Sequence, residues 1–153
     1  MVEDDVVVGT RPRRFAATPD AKELWISAEL SGEVWIVGRA RHDVLGRISF
    51  LPPGMRRSDV TPVGLAITAK GDTAYVSLGH ANHIAVVEVA TRKVVGYVLV
   101  GTRPWSVTLS RDETRLYVAN GLSDDITVVD VASRKAIASA PVGRTPYTVL
   151  VDD

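Results

Sequence analysis

Leu116-Tyr117-Val118-Ala119-Asn120, followed five residues later by Ile126-Thr127-Val128-Val129-Asp130, is the stretch on which the fold turns. The apolar alternation of Val107 and Leu109, and then of Leu116 and Val118, has period two, the mark of half-buried strands. Val, Ile and Thr dominate these runs; their branched side chains are stiff at χ1 and suit a pleated surface better than a helix. Arg111-Asp112-Glu113-Thr114, Ser123-Asp124-Asp125 and Ala132-Ser133-Arg134-Lys135 interrupt the runs with turn composition. Four short strands are therefore expected, near 106–110, 116–120, 126–131 and 136–141.

The same unit recurs along the chain. Gly101-Thr102-Arg103-Pro104 has counterparts at Gly9-Thr10-Arg11-Pro12 and Gly143-Arg144-Thr145-Pro146, and a weaker one at Asp59-Val60-Thr61-Pro62. Pro12, Pro62, Pro104 and Pro146 stand 50, 42 and 42 residues apart. Trp25, Tyr75 and Tyr117 keep the 50 and 42 spacing, as do Val34, Ile84 and Ile126. The eight additional residues of the first interval fall best at 51–58, Leu51-Pro52-Pro53-Gly54-Met55-Arg56-Arg57-Ser58, which has loop composition. A period of about 40–45 residues with four strands per unit is the signature of a β-propeller.

Leu116-Tyr117-Val118 with the Val-Asp strand ending at Asp130 resembles the YVTN propeller repeat. Tyr75-Val76-Ser77 and Trp25-Ile26-Ser27 are degenerate copies; Gly71-Asp72 inverts the usual turn order and Glu88 replaces the aspartate. The resemblance covers nearly the whole chain. Residues 142–153 further resemble the C-terminus of propeller proteins associated with pyrroloquinoline-quinone-dependent alcohol catabolism. The implied fold is all-β: three four-stranded blades at about 9–50, 59–100 and 101–142, together one partial propeller domain over 1–153. A single outer strand at 6–8 and a lone inner strand at 143–153 flank the blades. Three blades leave two apolar end faces larger than soluble monomers usually expose. The expectation is part of a ring of about seven blades, the N-terminal blades missing or separately encoded, or else a self-associating chain.

Composition narrows the function. Among 153 residues, Lys plus Arg and Asp plus Glu are 18 each, which gives no general attraction for nucleic acid or an anionic membrane. Cysteine is absent, which excludes disulfides, thiolate ligands and thiol nucleophiles. No apolar run approaches the ~20 residues that span a bilayer. The acidic start, Met1-Val2-Glu3-Asp4-Asp5, lacks the basic and apolar regions of a signal peptide. The family resemblance nonetheless implies a periplasmic full-length form.

The loops that lead into the inner strands carry the candidate ligand-binding residues. Arg11, Arg103 and Arg144 would ring one mouth of the channel, where guanidiniums can hold a carboxylate or phosphate by charge-assisted hydrogen bonds. Arg144 is offset by one residue from the other two. The residues after the prolines are Arg13, Val63, Trp105 and Tyr147, of which Trp105 and Tyr147 offer an aromatic wall or interblade packing. His80 and His83, with Glu29 or Asp124 as a third ligand, have the residue types of a metal site, but solvated loop histidines are far commoner, and no metal or cofactor is expected. No Ser-His-Asp set, Walker loop or zinc signature is present, and no general base stands out in the channel-facing loops.

These observations point to a non-catalytic propeller scaffold for a small anionic ligand or a protein partner. The resemblance implies an accessory role in quinoprotein alcohol oxidation. A lactonase-like propeller hydrolase is the alternative, with Arg103 and Arg144 polarising a carbonyl.

Overall fold

The computed structural model describes residues 4–152. Met1, Val2 and Glu3 of the acidic start, and Asp153 at the end of the expected lone strand, lie outside the described residues.

Twelve strands form three separate antiparallel sheets, each a simple meander. The first blade is β1 (Pro12–Ala17), β2 (Glu23–Ala28), β3 (Glu33–Gly38) and β4 (Asp43–Ser49). The second is β5 (Pro62–Ile67), β6 (Thr73–Leu78), β7 (His83–Glu88) and β8 (Lys93–Leu99). The third is β9 (Pro104–Leu109), β10 (Arg115–Asn120), β11 (Asp125–Asp130) and β12 (Lys135–Pro141). The 51–58 insertion runs into a single 3-10 turn, Arg57–Asp59, and a second such turn, Gly79–Ala81, joins β6 to β7. No helix among the described residues is long and apolar enough to cross a membrane.

Turn chemistry repeats from blade to blade and explains why short strands recur. Each β1–β2-type turn is closed by a hydroxyl on an aspartate: Thr18 to Asp20 at 2.6 Å, Thr68 to Asp72 at 2.7 Å and Ser110 to Asp112 at 2.7 Å. These side-chain bonds offer the backbone a local alternative to extending the strand. Left-handed residues occupy matching slots, Ala21, Gly71 and Glu113 in one turn and Gly32, Asn82 and Asp124 in another. Only two of these six are glycine, which explains why the turns do not announce themselves by glycine alone.

Blades are held by interdigitating faces. Trp25, fully buried on β2, packs with Val76, Leu78 and Ala85 of the second blade. Tyr75, one repeat on, packs with Val107, Leu116 and Val118 of the third. The register places Leu116 opposite Val129 and Tyr117 opposite Val128, so alternate residues of the third blade face the second blade and the open side. Gly64 allows the inner strands to approach, since a Cβ there would lie 2.9 Å from Cα of Ser106 and from the Trp105 carbonyl oxygen. Arginines in the outer turns stitch the blades together: Arg92 donates to the Leu45 carbonyl at 2.9 Å and pairs with Glu23 at 2.8 Å, and Arg134 donates to the Val95 carbonyl at 3.3 Å.

Two expectations fail. Residues 6–8 and 146–151 are not strands. Both segments follow the faces of end blades without a ladder partner. Gly9 lies against Ala28, Ser31 and Trp35 of the first blade, and the Val149 carbonyl accepts from the Thr108 hydroxyl at 2.8 Å. A strand is defined by paired backbone groups, and in each segment only isolated contacts of this kind form.

Candidate functional site

The β2–β3 turns and the loops into the inner strands share one end of the blades. There Glu29, at the end of β2, is buried with a side chain only 4% exposed. Three guanidiniums surround it. Arg11 Nε stands 3.2 Å and Arg13 Nε 3.3 Å from Oε2, and Arg103 Nη2 reaches Oε1 at 3.5 Å from the third blade. A carboxylate this deep requires compensating charge, and the three arginines provide it with a surplus of positive charge.

The arginine backbones are held in an uncommon conformation. Arg11 and Arg103 both have left-handed φ, 60° and 62°, although each precedes a proline, where extended backbone is preferred. The same left-handed φ recurs at turn residues outside the cluster, such as Ala21, Arg92 and Glu113, so it belongs to the turns of the repeat. Arg103 is fixed in it by its N–H, which donates to Oδ1 of Asn82 at 2.9 Å. The Thr145 N–H donates to Asp124 Oδ1 in the same way at 2.8 Å, and Thr145 too is left-handed. Thr61 has only Gly32 at the matching slot and is not left-handed.

An aromatic wall adjoins the cluster. The guanidiniums of Arg13 and Arg103 each lie 6.0 Å from the Trp105 ring. Trp105 meets Tyr147 edge-to-face at 5.3 Å, and the Arg14 guanidinium sits 5.0 Å from the Tyr147 ring. These are cation–π and T-shaped distances. Three buried polar atoms here, Glu29 Oε2, Arg103 Nε and Trp105 Nε1, make no hydrogen bond. The first is nonetheless held in ion pairs by Arg11 and Arg13, at 3.2 and 3.3 Å.

Of the residues singled out in the sequence, Arg11, Arg103, Trp105 and Tyr147 come together. Arg144 does not join them: it is exposed and makes no ion pair among the described residues, because its one-residue offset gives the left-handed slot to Thr145. His83 is turned to the Ala81 carbonyl at 2.6 Å and to the edge of Tyr97, and His80 is exposed. No group of three or more potential ligands that could hold a metal occurs among the described residues. Glu29, considered above as a metal ligand, is instead the counter-ion of the arginines. A signal for it was present, since the matching slots hold Gly79 and Gly121, so that a charge replaces glycine in one blade only. Arg13 and Asn82 were legible only as repeat positions. Cavities of about 520 and 550 Å³ lie at the other end of the blades; the first is lined by Arg92 and Glu23, which are already paired with each other.

Comparison with known proteins agrees with this architecture. The family model for lactonases with a seven-bladed β-propeller matches residues 2–139. No curated protein matches the chain. Among solved structures, a hydrazine synthase of Kuenenia stuttgartiensis is similar at 21% identity and TM-score 0.79, over 95% of this chain and 40% of that one. A Lactobacillus plantarum protein is similar at 20% identity and TM-score 0.78, over 91% and 44%. The periplasmic gluconolactonase of Pseudomonas aeruginosa is similar at 25% identity and TM-score 0.76, over 92% and 42%. The chain thus spans less than half the length of the solved chains it matches. None of these similarities supports an association with quinone-dependent alcohol oxidation.

Proposed function

Since the chain belongs to the lactonase family of seven-bladed β-propellers, we propose that it is a ligand-binding part of such a propeller, holding a small hydroxylated carboxylate or similar oxyanion at the channel mouth. The observation that carries this is the convergence of Arg11, Arg13 and Arg103 on the single buried Glu29. Three cations against one anion leave a site that favours a second negative charge. The ligand's oxyanion is taken by the exposed parts of the Arg11, Arg13 and Arg103 guanidiniums, and an apolar face of the ligand lies on Trp105. The chain binds the ligand without transforming it. Periplasmic placement belongs to the same proposal; its support is the family resemblance and the similarity to the periplasmic gluconolactonase of Pseudomonas aeruginosa.

Isothermal titration calorimetry with gluconate and with inorganic phosphate tests the site. Saturable binding that is lost on changing Arg11 and Arg103 together to Ala supports it; equal binding by that variant refutes it.

Lactone hydrolysis is a second reading, favoured by one observation: a carboxylate, Glu29, stands beside three arginines. Water, deprotonated by Glu29, would add to the lactone carbonyl while an arginine stabilises the oxyanion. The ring C–O bond would then break, with the proton passing to the leaving oxygen to give the hydroxy acid. Release of acid from glucono-δ-lactone above the spontaneous rate, abolished in Glu29→Gln, separates this reading from simple binding.

A further inference from the structure

We propose that the cleft between the first two blades, at the end opposite the arginine cluster, binds a small carboxylate, whose carboxyl group stands where the next junction places the side chain of Glu113.

The cleft holds about 520 Å³, an ordinary volume for a small-molecule site. Its walls come from three turns: β1–β2 of the first blade, the matching β5–β6 turn with Lys70 and Gly71, and the β7–β8 turn from Val89 to Arg92. The first two blades pack against each other within the chain, so the cleft does not arise from an uncovered end face.

The junction of the second and third blades shows how such a cleft is closed. Residues 21, 71 and 113 share one slot of the turn, and residues 19, 69 and 111 another. Glu113 reaches back from the third blade and accepts from the Ala69 N–H at 2.6 Å. One junction earlier Gly71 stands in place of the glutamate, and Pro19, which has no N–H, in place of the donor. The two slots face each other there as well, since a Cβ on Gly71 would lie 3.0 Å from Cδ of Pro19. The first junction therefore supplies no carboxylate of its own at this point.

The charges differ in the same sense. Asp112 and Asp72 of the second junction correspond to Lys70 and Lys22 of the first. The carboxylates on the wall of the first cleft are already engaged. Asp20 accepts from the Thr18 hydroxyl at 2.6 Å and pairs with Lys22 at 3.6 Å, and Glu23 pairs with Arg92 at 2.8 Å. Lys70 acts on Asp72 only through space and makes no ion pair among the described residues. Its ammonium, a compact point charge on the exposed rim, takes the carboxylate, and Val89 and Ala90 flank the carbon chain. This cleft is separate from the channel mouth and does not rest on the function proposed there.

Amide NMR of the full chain titrated with glutarate tests the proposal. Saturable shifts are expected at Lys70, Gly71 and Val89 to Arg92. They should persist when Arg11 and Arg103 are both changed to Ala, which separates the cleft from the channel mouth. Uncharged glutaramide should give none. Lys70→Ala should weaken binding about tenfold, the loss of one charge-assisted contact, and Lys70→Asp should abolish it. Pro19→Ala with Gly71→Glu rebuilds the closure of the second junction and should also abolish binding; Glu113, left-handed at φ 56°, shows that the slot accepts a glutamate. Shifts that survive Lys70→Asp, or turn residues in the native chain that do not respond to glutarate, overturn the proposal. If the double variant does not fold by near-UV circular dichroism, Lys70→Asp, at an exposed position, decides alone.

Discussion

Arg103 and Glu29 lie 74 residues apart in the chain and in non-adjacent blades, yet Nη2 of one stands 3.5 Å from Oε1 of the other. The pair crosses the channel end of the second blade, so three blades must stack in order before the site exists. Arg103→Ala should leave the fold intact and weaken binding of gluconate or phosphate by about tenfold or more, the loss of one or two charge-assisted hydrogen bonds. Calorimetric titration measures it, and Arg103→Lys should recover only part, because an ammonium cannot reproduce the planar fork.

Glu29→Gln removes the one carboxylate among the described residues that pairs with Arg11, Arg13 and Arg103. Anion affinity should rise severalfold while thermal stability falls. The loss should be about 1–2 kcal/mol, less than for a fully buried pair because the arginines are 25–54% exposed and partly screened. Titration calorimetry and thermal melts together check the opposite signs.

Interblade packing predicts a gradient along the repeat. Trp25→Ala opens a cavity at a fully buried site and should cost about 3–5 kcal/mol in urea unfolding. Tyr75→Ala, 4% exposed, should cost nearly as much, and Tyr117→Ala clearly less because that ring is half-buried.

Arg92→Ala removes the donor to Leu45 and the ion pair with Glu23, one of the polar stitches between the first two blades. With side chains 31% and 22% exposed, a loss of about 1 kcal/mol is expected, together with faster proteolysis between these blades.

Acid should unfold the chain through its turns. Hydrogen bonds from Thr18, Thr68, Thr114 and Ser133 hold Asp20, Asp72, Asp112 and Asp130 below their ordinary value of 3.8. A carboxylate whose value falls on folding stabilises the fold above its unfolded value and loses that contribution as pH drops through the folded one. Melting temperature should therefore be level from neutrality down to about pH 4 and decline below it. Asp72→Asn with Asp112→Asn should make that decline shallower.

The blades were legible because their signal is local. Period-two alternation, turn clusters and the 50 and 42 spacing depend on neighbours within a few residues, and each strand of the third blade lies where the pattern puts it, within about two residues. The terminal segments at 6–8 and 146–151 misled for the opposite reason. Their composition is strand-like, but pairing requires a partner edge that the described chain does not bring to them. Arg144 misled because a repeat letter was matched without its register: one residue of offset moves a side chain from a left-handed slot to an exposed one.

By itself the sequence determined the all-β repeat, the three blades of this chain, the aromatic slot and the loop positions of Arg11 and Arg103, since all of these recur at fixed spacing. Only the tertiary structure decided that Glu29 is their counter-ion, that Arg13 joins them and that the histidines stand apart. Spacing along a chain fixes what each blade presents. Which charges meet across blades depends on burial, where an unpaired carboxylate is too costly to leave alone and draws its partners from wherever the fold brings them.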